Sequence, residues 1–115
     1  MRRGDVVAVS PDPARGSEAS KIRPAIVVSN DAANATATRL GRGVITVVPI
    51  TSNVARIYPF QVLLRADQTG LRQDSKAQAE QIRSVAVERV GRQIGSLPTA
   101  LLAELDEALR VHLAL

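Results

Sequence analysis

The chain has 115 residues with no cysteine and a single histidine, which removes disulfides, thiol catalysis and thiolate metal sites and argues against a zinc centre. Hydrophobic residues make up 45% and charged residues 23% of the sequence, the balance of one folded domain spanning 1–115 rather than of a disordered chain. The net charge of +4 is unevenly held: residues 1–57 carry eight Lys/Arg against four Asp/Glu, residues 58–115 seven against seven, and only Lys21 and Lys76 are lysines.

Arginine grips phosphate and carboxylate with a planar fork, so an anionic partner follows as one reading of this bias and genomic composition as the other. Tyr58 and Phe60 are the only aromatic residues. An aromatic platform therefore cannot be the main mode of nucleic-acid binding; charge and hydrogen bonds would have to carry it. No run of about 18 apolar residues occurs and "MRRGDVVAVSPD" has no signal-peptide core, so a cytoplasmic protein without membrane association is expected.

In chain order, "GDVVAVS" (4–10) predicts a short strand, and "SPDPARGSEAS" (10–20) a loop, since two prolines and a glycine forbid regular structure. "PAIVVS" (24–29) predicts a buried strand. "NDAANATATRLGRG" (30–43) suggests a short helix capped by Asn30 or Asp31 and ended by the glycines. "VITVVPI" (44–50) is the strongest strand, with "PFQVLLR" (59–65) following the loop "TSNVARIY". Propensity leans "DSKAQAEQIRSV" (74–85) towards helix, although its alternation permits a strand. The last segment places Leu101, Leu102, Leu105, Leu109 and Leu113 at helical spacing, with Ser96 as the expected cap and Pro98 in the first turn. Strands first and a packing helix last predict a mainly β, α+β fold: a small curled sheet or barrel closed by a C-terminal amphipathic helix.

Metal-free cleavage of RNA requires help in removing the ribose 2′-OH proton, stabilisation of the crowded phosphorus, and departure of the 5′ oxygen. A histidine pair is not available, because His112 stands alone on the terminal helix. Arg23 stands immediately before Pro24, which disfavours helical backbone for it and aims a guanidinium from the start of a strand. Taken alone, "RP" reads first as a surface salt bridge, and only with companion motifs as a phosphate site. Thr51, Ser52 and Asn53 end the strongest strand, where they read as a turn or as phosphate and ribose donors. Glu18 on the long loop is a candidate base near Arg23, or a solvated side chain.

The ordered series "RGDV" (3–6), "DPARGSE" (12–18), "RPAIVVSND" (23–31), "VPITSN" (48–53), "YPFQV" (58–62) and "DSKAQAEQIRSV" (74–85), followed by a leucine-rich helix, resembles the MazF/PemK-type toxins over nearly the whole chain. The resemblance implies an SH3-like barrel of the CcdB/PemK type and a homodimeric, metal-independent and cofactor-free endoribonuclease. Such an enzyme cuts single-stranded RNA, in mRNA, rRNA or tRNA, to a 2′,3′-cyclic phosphate and a 5′-OH, under control of a MazE-like antitoxin. It further implies Arg23 and Thr51 at the catalytic centre with Glu18 as an assisting base. Ser17, Lys21, Asn30, Asp31, Ser52, Asn53, Gln78, Gln81 and Arg83 become RNA-contact or support positions, and strand rather than helix is implied over most of 74–85. A non-enzymatic, gyrase-binding toxin resembling CcdB, or a catalytically degenerate member, is the alternative. Many relatives carry tryptophan where this chain has Ala8, which bears on the loop 10–20 that frames the site.

Overall fold

The computed structural model describes residues 1–10 and 21–115. Seven strands, β1 (Asp5–Val9), β2 (Arg23–Val27), β3 (Val44–Thr51), β4 (Gln61–Leu64), β5 (Ser75–Gln78), β6 (Arg83–Ala86) and β7 (Val90–Ser96), combine with helices α1 (Asp31–Leu40), the single turn α2 (Ala66–Thr69) and α3 (Thr99–Leu113). The sheet runs β4-β5-β3-β2-β1-β7, antiparallel throughout, with β6 also on β3. Segment 75–86 is strand, a one-turn 3-10 helix at Ala79–Gln81, and strand again, against its helical propensity and as the family resemblance implies.

The apolar runs of β1, β2 and β3 are continuous because both sheet faces are covered. On one face Val6, Ile26, Val48, Ile50, Val62 and Leu64 pack under Leu101, Leu105 and Leu109 of α3. On the other, Val7, Val27, Ile45, Val47 and Val85 form a second cluster with Ala37 of α1. Leu113, expected in the packed stripe, is exposed, as is His112 beside it.

One expectation needs correction. Ser96 does not cap α3: it is the last residue of β7, paired with Asp5, and Pro98 occupies the cap position. The strand claims Ser96, and the fixed φ of Pro98, −57°, starts the helix without a side-chain cap. The expected curled sheet is present, with β4 and β7 ending the strand path unpaired to each other. Backbone contact spans that gap instead. Gly70, with φ +83°, and Gly95 of β7 meet so closely that a Cβ on Gly95 would fall 2.1 Å from the Thr69 carbonyl oxygen. Only glycine permits that crossing.

At the other end of the sheet polar groups are fully engaged. Asn30 caps α1, its Oδ1 accepting from the Ala33 amide at 2.8 Å. Asn34, wholly buried, donates to the Ser29 carbonyl at 2.8 Å and accepts from the Ser29 hydroxyl, which itself accepts the Thr46 amide at 3.1 Å. Arg3 donates to the Val28 carbonyl at 2.8 Å and to Asp106 of α3 at 2.7 Å, tying helix to sheet.

Candidate nucleic-acid interface

Strand pairing builds the site. β2 and β3 pair Val27 with Val47, Ile26 with Val48, and Ala25 with Pro49. The next pair would be Pro24 with Ile50, but Pro24 has no N–H to give, and the ladder ends there. Arg23, the first residue of β2, and Thr51, the last of β3, stand just beyond that end of the ladder. A guanidinium and a hydroxyl are thus brought to the place where backbone pairing has stopped.

Both line a groove of about 1000 Å³, with Lys21, Ser52, Arg72, Gln73 and Arg92. Its apolar wall comes from Ala8, Pro24, Ile50, Leu71 and Ile94. Ile50, Leu71 and Ile94 belong to or pack against the cluster beneath α3, so the groove is the end of the main core that the helix leaves uncovered. The small side chain of Ala8, against which Gly91 packs, keeps this wall open.

The electrostatics are one-sided. Among the described residues, Lys21, Arg23, Arg72 and Arg92 make no ion pair, whereas Arg3, Arg65 and Arg110 do. Four cations around one concavity create a field that concentrates anions. The Thr51 hydroxyl oxygen accepts the Asn53 amide at 3.3 Å, which orients it and leaves its own proton to donate. No group of three or more His, Asp or Glu side chains among the described residues is arranged to hold a metal ion.

Of the residues singled out in the sequence, the groove gathers Lys21, Arg23, Thr51 and Ser52. Asn53 stands next to it and shapes the following turn, its Oδ1 accepting the Ala55 amide at 3.2 Å. Asn30 and Asp31 serve the start of α1, with Asp31 accepting the Arg3 amide at 2.6 Å. Gln78 ends β5, Gln81 closes the 3-10 turn and exposed Arg83 begins β6, all outside the groove lining. Ser17 and Glu18 lie outside the described residues.

Arg72, Gln73 and Arg92 were not singled out by the sequence. Arg92 comes to the groove through an irregular β7: Val7 pairs with Gln93 and Val9 with Val90, so Gly91 and Arg92 together oppose Ala8 alone. Such a bulge re-aims side chains. "VGRQIGS", with glycines inside a strand pattern, was its available signal.

Residues 2–113 match the family model described as the PemK-like, MazF-like toxin of type II toxin–antitoxin systems. The chain is 70% identical to endoribonuclease MazF9 of Mycobacterium tuberculosis H37Rv over 115 residues, all of this chain and 98% of that one. It is 34% identical to endoribonuclease EndoA of Bacillus subtilis, again over its full length and 96% of the relative. Among solved structures, a MazE–MazF crystal structure from Deinococcus radiodurans superposes with a TM-score of 0.77 at 29% identity, covering 100% of this chain and 97% of that one. No helix among the described residues is long and apolar enough to cross a membrane. Family model, full-length relatives and fold agree, and the chain belongs to the PemK/MazF-like toxin family of type II toxin–antitoxin systems.

Proposed function

We propose that the protein is a sequence-specific endoribonuclease toxin of the cytoplasm that cleaves single-stranded RNA without a metal, and that a MazE-like antitoxin neutralises it. The observation that carries this is the gathering of Arg23 and Thr51, at the end of the β2–β3 ladder, in one groove ringed by cations. The relatives at 70% and 34% identity are endoribonucleases by name, and solved relatives pair such toxins with antitoxins, in keeping with this chemistry. Nothing in these likenesses favours a gyrase-binding role.

In the proposed reaction the 2′-oxygen attacks the adjacent phosphorus as its proton leaves. The P–O5′ bond breaks, and the products are a 2′,3′-cyclic phosphate and a 5′-OH that has gained a proton. Arg23 binds the nonbridging oxygens bidentately and favours the added negative charge of the transition state, for which it is pre-positioned by a strand rather than a loop. The oriented Thr51 hydroxyl donates to the same phosphate or to the ribose. Lys21, Arg72 and Arg92 hold the flanking phosphates, and Ser52 and Gln73 offer hydrogen bonds to ribose and base edges. Glu18 is proposed as the base, with Ser17 beside it. Asn30 and Asp31 support the fold behind the site, while Asn53, Gln78, Gln81 and Arg83 extend the contact surface in a homodimer.

An antitoxin suited to this groove is acidic and extended, placing carboxylates against the arginines. To test the reaction, the purified protein is incubated with a long RNA in EDTA and the new ends are mapped. Cleavage at a recurring short sequence with cyclic-phosphate and 5′-OH ends is expected; a requirement for metal, or 5′-phosphate ends, contradicts it.

A further inference from the structure

The only two aromatic rings of the protein stand together outside the groove. Tyr58 and Phe60 are stacked, with centroids 5.3 Å apart and planes 5° from parallel. The Arg56 guanidinium lies 5.3 Å from the Tyr58 centroid, and its Nη1 donates to the Tyr58 hydroxyl at 3.1 Å. Neither the arginine nor the tyrosine is hidden: Tyr58 is 40% exposed, beside exposed Ile57 and Val54.

Surface aromatics on a loop usually adapt to solvent, but this loop is clamped. Lys76, itself buried, donates from Nζ to the Arg56 carbonyl at 2.7 Å and lies 6.0 Å from the Tyr58 centroid. Gln61 accepts the Tyr58 amide at 3.2 Å and donates to Glu80 at 2.9 Å. The loop leaves β3 directly after Thr51, and the residue paired with Thr51 on β5 is Lys76. Thr51 thus belongs both to the groove lining and, through its pairing with Lys76, to the base of this clamped loop.

Resting on the endoribonuclease assignment above, we propose that Arg56 and Tyr58, backed by Phe60, form a stacking subsite for one RNA base flanking the scissile phosphate. Bases stack on aromatic rings and on arginine planes, and a stack already assembled loses little freedom on binding. The positive charge of Arg56 suits a polyanion, and the loop that carries it starts directly after Thr51, a residue of the groove lining. One base on this surface adds affinity and fixes register; the cations of the groove remain the principal grip.

Tyr58 is the sole tyrosine of a chain without tryptophan, so intrinsic fluorescence reports on this ring alone. The probe is an RNA whose cut site has been mapped with the wild-type protein, made uncleavable by one 2′-deoxyribose and carrying an abasic nucleotide at each flanking position in turn. Binding should quench the tyrosine emission. At one position the abasic change should abolish the quench in the wild type and should weaken binding roughly tenfold in both the wild type and Tyr58→Phe, while leaving the binding of Tyr58→Leu unaffected. Circular dichroism confirms that the variants fold. Equal abasic penalties in wild type and Tyr58→Leu, or unchanged emission on binding, overturn the subsite. Unchanged RNA affinity in Tyr58→Leu with lost antitoxin binding also overturns it, assigning the surface to a protein. If the wild type cuts no RNA, the endoribonuclease assignment falls and takes the subsite with it; cleavage without coupling removes the subsite alone.

Discussion

Arg3 and Arg23 are the same residue type at the starts of neighbouring strands, and they do opposite things. Arg3 is spent on the fold: its guanidinium reaches the Val28 carbonyl and Asp106, its amide reaches Asp31, and its neighbourhood holds the satisfied Ser29–Asn34–Thr46 network. Arg23 has no ion-pair partner among the described residues and shares its groove with three more such cations. A rigid frame whose cations lack a carboxylate partner among the described residues is poised for an anion, whereas one that satisfies them is holding itself together. The comparison teaches that placement relative to the strand ladder, not residue type, separates the two roles.

It can be broken most sharply at Arg23. Arg23→Ala should slow RNA cleavage by about 100-fold or more, the scale of removing one preorganised donor to a transition state, while the thermal midpoint stays within experimental scatter. Single-turnover kinetics and a melting curve together check this, and a large loss of stability would move Arg23 into the class of Arg3. Next in size is the backbone crossing between the sheet's two unpaired edges. Gly95→Ala sets a Cβ against the Thr69 carbonyl and should cost about 3 kcal/mol, read by urea denaturation.

Asn34→Ala leaves the Ser29 hydroxyl and carbonyl without their buried partner and should cost about 2 kcal/mol. Its cleavage rate per folded molecule should be unchanged. Smallest is Arg3→Ala, expected to cost about 1 kcal/mol because its pairing with Asp106 is partly solvated. Activity should again be retained, completing the contrast with Arg23.

Much of this contrast was legible in the sequence, and the reasons are local. Pro24 marks Arg23 because the effect of proline on its neighbour and on the ladder needs no tertiary context. The continuous apolar runs of β2 and β3 announced strands covered on both faces, and Asn30 and Gly41 bracketed α1 correctly. What stayed hidden depends on distant chain segments. Arg72 and Arg92 enter the groove only through the curl of the sheet and the bulge opposite Ala8. The meeting of Gly70 with Gly95 joins segments that no periodicity connects. Ser96 looked like a cap because its side chain suits one, but pairing with Asp5 claimed it first.

The central claim is that the groove at Arg23 and Thr51 directs an attack by the RNA's own 2′-hydroxyl. The most direct measurement compares an RNA of mapped cleavage site with the same RNA bearing a single 2′-deoxyribose at the cleaved nucleotide, in EDTA, with binding measured in parallel. The expected result is comparable binding of both and cleavage of the first alone. Cleavage of the deoxy-substituted RNA at that bond would contradict the claim.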